Sequence, residues 1–197
     1  MSEIFNCNGY VKVENLIDER TIQTISQYLE NKIKRGEWVQ KSEEELKEGD
    51  FSKLYYYADP LLEVILKEYL PLVEEQTGLE LQPTYSYARV YQEGEKLKAH
   101  TDRPSCQISA TVNVAHIGGN WPIWMQYENN DPAKFLLTPG DAVIYKGCEV
   151  MHWRRKLPEG QLYVQFMLHY VDKNGPHAGY KFDKREVLGL DTSARRS

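Results

Sequence analysis

The strongest constraint on this chain is a change of hydrophobic period near residue 84. From there on the period changes to two, and TYSYARVY, QISATVNVA, WPIWMQY, KFLLT, DAVIY and QLYVQFMLHYV look like β-strands. Turn residues separate them: Glu93-Gly94, Gly118-Gly119-Asn120, Asn129 to Pro132, Pro139-Gly140 and Pro158 to Gly160. Residues 14–76 read instead as helical. Ile22, Ile25, Leu29 and Ile33 recur at helical spacing, and Asp59-Pro60 is a cap followed by a first-turn proline. The second helix carries Leu61, Leu62, Ile65, Leu66, Tyr69 and Val73, and the charged stretch EEELKEGD between the helices reads as solvated surface. The expected class is α+β, mainly β, with a barrel or sandwich buttressed by N-terminal helices.

Two strands say more. In 107–113, Gln107, Ser109, Thr111 and Asn113 share one face, opposite Ile108, Ala110, Val112 and Val114. In 161–169, Gln161, Tyr163, Gln165 and His169 oppose Leu162, Val164, Phe166 and Leu168. The polar faces either meet water or, with helices on the apolar faces, line a hydrophilic pocket.

A length of 197 residues fits a single domain, read as a helical buttress over 1–80, a strand core over 84–172 and a C-terminal extension over 173–197. A net charge of −5 argues against nucleic acid as partner. No apolar run approaches the roughly 20 residues that span a bilayer, and MSEIFNCNGY lacks a signal peptide's basic and apolar regions. Three widely spaced cysteines, Cys7, Cys106 and Cys148, form no disulfide framework, so a cytoplasmic location is expected. The glycine loops match no phosphate- or dinucleotide-binding pattern.

His100 and Asp102 stand two positions apart, on one face of a strand, and His152 follows fifty residues after Asp102. Two histidines and one carboxylate on one side of a metal leave coordination positions open, which suits non-haem Fe(II). Around them, RVYQEGEKLKAHTD, PGDAVIY, His152 and a last hydrophobic strand resemble the Fe(II)/2-oxoglutarate-dependent dioxygenases, in particular the prolyl 4-hydroxylase-like branch. The resemblance covers about residues 84–172. It implies a double-stranded β-helix, or jelly-roll barrel, with helices packed outside. It also implies Fe(II) on His100, Asp102 and His152, with 2-oxoglutarate and O₂ as cosubstrates. The implied reaction is hydroxylation of an unactivated C–H bond with release of succinate and CO₂. The implied substrate is a prolyl or similar side chain of a peptide or protein, with a small molecule as the other option. Asp102 also argues against a halogenase, which the resemblance implies would lack that carboxylate.

In the family, an Arg or Lys some nine or ten residues after the second histidine holds the far carboxylate of 2-oxoglutarate. Here those positions are Gln161 and Leu162. Arg154, on the same strand as His152, is the favoured replacement, with Tyr91 and Gln165 as hydrogen-bond donors. Arg89, on the same face as Tyr91, is a further cation nearby. His116 and His169 read as structural histidines on strands, and His177 as a surface residue in a loop. Trp121, Trp124 and Trp153 read as core or rim packing, and Cys106 and Cys148 as small buried hydrophobes. At least one of Tyr55, Tyr56 and Tyr57 is expected to be exposed, where it would favour peptide contact. Two rival readings stand beside it: a cupin-like metal oxygenase that does not use 2-oxoglutarate, which the missing basic residue supports, and a non-catalytic binding module, which the intact His100, Asp102 and His152 set argues against. The oligomeric state, and whether residues 40–58 form a lid, are left open by the sequence.

Overall fold

Asp18 and Asp59 begin the helical third as the sequence predicts. Asp18 accepts from the Thr21 amide at 2.9 Å and starts α2 (Glu19–Lys34), after a short α1 (Ser2–Asn8) and strand β1 (Tyr10–Val13). Asp59 accepts from the Leu61 and Leu62 amides and starts α3 (Pro60–Glu68). The second expected helix is in fact two. Pro71 cannot donate an amide to the turn before it, so the chain stops at Tyr69 and restarts as α4 (Leu70–Thr77). The computed structural model describes residues 2–40 and 53–189. The charged stretch 43–50, and most of the segment 40–58, lie outside them.

Two further short strands, β2 (Val39–Gln40) and β3 (Leu54–Tyr57), fall in the region read as helical. Their runs are too short for a period to appear, and β-rich Tyr55-Tyr56-Tyr57 is the one local cue. Eight strands follow: β4 (Leu81–Gln92), β5 (Leu97–His100), β6 (Ile108–Ile117), β7 (Ile123–Gln126), β8 (Ala133–Phe135), β9 (Ala142–Lys146), β10 (Met151–Arg154) and β11 (Leu162–Asp172). They form two antiparallel sheets. The large one runs β1-β9-β6-β11-β4-β3-β2, and the small one β5-β10-β7-β8. This is a jelly-roll barrel with helices outside, as the resemblance implied.

The outer face of the large sheet is apolar and covered. Ala110, Val112, Phe166 and Leu168 pack with Ile22, Ile25, Leu29, Leu62, Ile65 and Val73 of the helices. Its inner face is polar and nevertheless shielded from water: Ser109, Thr111, Asn113, Gln165 and His169 are each no more than 5 % exposed. The alternation in 107–113 and 161–169 thus marks a pocket wall.

Charged side chains fasten the outer elements. Lys32 of α2 donates to Asp59 at 2.8 Å, beside the Tyr28 hydroxyl. Arg185, past the C-terminal 3₁₀ segment (Ala178–Lys184), pairs with Glu63 of α3 and donates to the Thr84 carbonyl. Buried pairs of this kind fix position more than they add stability. The Arg185 pair holds the end of the C-terminal segment against α3 and β4.

Candidate active site

His100 ends β5 and His152 lies on β10, directly opposite it in the antiparallel register. The pairing brings the two imidazole centroids to 4.2 Å, with the rings tilted by 50°. Asp102 follows β5, its amide donating to the Gly147 carbonyl at 2.7 Å. Its Oδ1 lies 3.6 Å from Nε2 of His100 and 3.6 Å from Nε2 of His152. One ligand atom from each residue thus falls within 4.8 Å of the other two. Each Nδ1 faces a backbone carbonyl two residues earlier, Lys98 at 2.9 Å and Val150 at 3.0 Å. Nδ1 therefore carries the proton, and Nε2 turns its lone pair toward Asp102.

The electrostatics suit a cation. Burial pushes the Asp102 carboxyl up to about 6. Burial also lowers His152 to about 4, and burial with the neighbouring His152 lowers His100. Both imidazoles are neutral at physiological pH and can serve as ligands. A divalent ion would offset the cost of a buried Asp102 carboxylate.

A chain of hydrogen bonds fixes Asp102 from behind. Ser109 Oγ lies 3.0 Å from Asp102 Oδ2 and 2.9 Å from His169 Nδ1. The serine has one proton, which it gives to the carboxylate, so His169 Nδ1–H donates to Ser109. His169 is thereby a structural histidine, as expected, and burial lowers it to about 3. Cys106 lies near Asp102 and His169 too, but burial pushes its thiol up and the Tyr85 hydroxyl sits 2.9 Å from its sulfur. It stays a thiol and is no ligand of choice.

The spacing of His100, Asp102 and His152 singled them out, whereas Ser109 and Gly147 carried no such signal. A Cβ at Gly147 would stand 2.0 Å from the Cys106 carbonyl oxygen and 2.7 Å from Asp102 Oδ2. The YKGCE turn therefore needs glycine so that Asp102 can pack against it.

The triad opens into a cavity of about 250 Å3. Leu97, Ile123, Tyr145 and Met167 make it partly apolar, and Tyr91, Arg89, Gln165 and Thr111 make the wall away from the mouth polar. Tyr57, Tyr85 and Arg103 line it as well. Arg103 donates through both Nη atoms to Asp183 of the C-terminal 3₁₀ segment at 2.8 Å, and Tyr57 donates to the same carboxylate at 2.6 Å. Tyr55 stacks on Tyr87, centroids 5.5 Å apart, while Tyr56 turns to the other side, over Lys32. None of the three tyrosines is fully exposed, because alternation on β3 gives two of them to the cavity side and one to the helices.

Of the residues expected to bind 2-oxoglutarate, Tyr91 and Gln165 line the cavity and Arg154 does not. Arg154 is 1 % exposed and lies between the rings of Trp121 and Tyr163. It donates to the Trp121 carbonyl at 2.5 Å, to Gln165 Oε1 at 3.0 Å and to the Tyr163 hydroxyl at 3.4 Å. His152 and Arg154 are both buried with half-buried Trp153 between them, so Arg154 keeps the inner side, but its guanidinium is taken up by Trp121, Tyr163 and Gln165. Gln161 lies against Gly118 and Gly119, and Leu162 packs toward the outer core. Trp124 and Trp153 stack on each other, centroids 6.2 Å apart. His177 is half-buried near Tyr180, and His116 stacks on Tyr163.

No known family's sequence profile matches the chain, and no curated protein matches it in sequence. Solved structures do match in shape. The epimerase SnoN of nogalamycin biosynthesis, described as non-haem and α-ketoglutarate dependent, superposes with a TM-score of 0.73 at 12% identity, over 96% of this chain and 90% of that one. A prolyl-4-hydroxylase from Pseudomonas putida gives 0.67 at 13% identity, over 87% and 96%. A prolyl hydroxylase from Trichoplax adhaerens, bound to a peptide of hypoxia inducible factor, gives 0.68 at 11% identity, over 87% of both chains. The chain is built on the jelly-roll fold of the 2-oxoglutarate/Fe(II) oxygenases, the prolyl hydroxylases among them.

Proposed function

We propose that the chain is an Fe(II)- and 2-oxoglutarate-dependent dioxygenase that hydroxylates an unactivated C–H bond. One observation carries this reading: Nε2 of His100, Nε2 of His152 and Oδ1 of Asp102 converge at the end of a cavity whose wall also bears a cation and amide and hydroxyl groups. Two neutral imidazoles and one carboxylate are the donor set of non-haem Fe(II). Thr111 Oγ1 is buried with no hydrogen-bond partner among the described residues and belongs to the cavity wall. A carboxylate-bearing cosubstrate would satisfy it, and this is where the residues present fit 2-oxoglutarate.

Iron with 2-oxoglutarate and O₂ supplies the oxidising power, with succinate and CO₂ as coproducts. The chain's own residues prepare the place. The Lys98 and Val150 carbonyls hold each imidazole in the tautomer that binds metal. Ser109 aims Asp102, with His169 behind it. Leu97, Ile123, Tyr145 and Met167 keep water from the reacting centre. Tyr57 and Tyr85, held by Asp183 and Arg103, add aromatic faces to the cavity wall beside the substrate.

The substrate we favour is a prolyl or similar side chain within a peptide or protein. Similarity in shape to two prolyl hydroxylases, one with a bound peptide, supports it, as does the tyrosine-lined mouth. SnoN keeps a small molecule as the second reading.

The test is anaerobic visible absorption as Fe(II) and then 2-oxoglutarate are added. A charge-transfer band that needs both additions, and is missing in His100→Ala, is expected. Iron bound without that band would point to a cupin-like oxygenase, and no bound iron to a binding module. Succinate release stimulated by proline-containing peptides over free amino acids would then favour the peptide substrate.

A further inference from the structure

We propose that Arg89 of β4, and not Arg154 of β10, binds the far carboxylate of 2-oxoglutarate. The proposal rests on the dioxygenase reading above and deepens it.

The position question arises because residues 161 and 162 are not basic and both face away from the cavity. Two buried or half-buried arginines remain near the triad. Arg154 is committed to a carbonyl, an amide oxygen and a hydroxyl, with an aromatic ring on either side, and it is not part of the cavity wall. To meet a ligand it would have to release Gln165. Arg89 is part of the wall. Its Nη1 lies 3.4 Å from the Tyr91 hydroxyl, and its guanidinium sits 5.0 Å from the centre of the Tyr87 ring. Arg89, Tyr87 and Tyr91 alternate along one face of β4, and across the register Gln165 is the partner of Arg89.

The neutral donors around Arg89 are also set for an acceptor. Arg154 holds Gln165 Oε1, which turns Gln165 Nε2 away from it, and among the described residues that amide finds only the Met167 thioether at 3.3 Å. A thioether is a weak acceptor. Thr111 Oγ1 stands nearby without a partner among the described residues, on the strand that pairs with β11 on its other side. A guanidinium, an amide and two hydroxyls on three adjacent strands make a carboxylate cradle. Arg154 is then a positioning residue, since it orients the Gln165 amide.

Charge calls for a cation beside the cosubstrate. Iron(II) would bring two positive charges, Asp102 one negative and the keto diacid two negative. One negative charge is left over in a site largely removed from water, and one arginine cancels it.

The test compares 2-oxoglutarate with 2-oxopentanoate, which carries a methyl group in place of the far carboxylate. Both chelate through the keto acid, so both are read by the charge-transfer band in anaerobic iron-loaded protein. Wild type is expected to prefer 2-oxoglutarate. Arg89→Met should weaken 2-oxoglutarate by ~30-fold or more, the scale of a charge-assisted hydrogen bond, and leave 2-oxopentanoate unchanged. Arg89→Lys keeps the charge without the fork and should restore part of the preference; it also serves if Arg89→Met does not load iron. A preference that survives both Arg89 variants and disappears in Arg154→Met would overturn the proposal. A band with neither keto acid, in wild type with bound iron, would instead sink the dioxygenase reading itself.

Discussion

The large and small sheets face each other across one cavity, yet they are built on different terms. The large sheet has its outer face sealed by α2, α3 and α4 and holds most of the apolar core. The small sheet has a separate cluster, Ile123, Met125 and Val150 with Val143 and Tyr145 from β9, and its outer side carries the stacked Trp124 and Trp153 and exposed Met151. The candidate metal histidines both come from the small sheet. The polar wall that would hold a cosubstrate comes from β4, β6 and β11 of the large one. The difference teaches that the sheet with the larger core is the platform, and that the smaller sheet can carry the candidate metal histidines because little of the core depends on them.

The sharpest way to break that comparison is to remove a ligand. His152→Ala should lower Fe(II) affinity by at least ~10³-fold while the fold is kept, because three ligands act on one ion. Ser109→Ala, which only frees the back of Asp102, should cost ~10–100-fold. Equilibrium dialysis of iron under argon, with circular dichroism as the fold check, reads both. If His152→Ala unfolds the chain, the small sheet is part of the platform after all.

The next effect is on stability and belongs to the large sheet. Phe166 is 0 % exposed on β11 and packs under the helices. Phe166→Ala should destabilise by about 3–5 kcal/mol through lost burial and the cavity left behind. Denaturant unfolding measures it. The ratio of stability loss to loss of iron affinity should be opposite in Phe166→Ala and His152→Ala.

The two sheets also differ in how much of them can be read from the chain. His100, Asp102 and His152 stand out because a two-residue strand period and one later histidine are local facts, and antiparallel pairing then sets one histidine opposite the other. The pocket wall is half legible: alternation reveals the polar faces of 107–113 and 161–169, and burial decides what they are for. The cation is not legible. Arg154 does share the inner side with His152, but Trp121, Tyr163 and Gln165 take up its guanidinium, which no local pattern reveals. Arg89 meets Gln165 across 76 positions of sequence through β4–β11 pairing. The break of the second helix at Tyr69 was, by contrast, written in Pro71, and the strand at Tyr55 to Tyr57 was too short to announce itself.

Acid gives the mildest and most general test, since each sheet buries a neutral histidine. Burial lowers His169, on the large sheet, from the ordinary 6.5 to about 3, and His152, on the small sheet, to about 4. Between each folded value and 6.5 the unfolded chain binds the proton and the folded chain does not. Stability therefore rises with pH across that window and is lost as pH falls through it. Each histidine contributes a slope of up to roughly 1.4 kcal/mol per pH unit. For metal-free protein, unfolding free energies from pH 7 to pH 4.5 should fall, and His169→Gln and His152→Gln should each remove one proton's worth of slope. Adding Fe(II) should steepen the wild-type fall, because protons then compete with the ion at His152 while His169 is untouched by it. His169→Gln should keep that metal-dependent part, and His152→Gln should lose it. Equal behaviour of the two variants with and without iron would mean that the sheets do not divide platform from metal site.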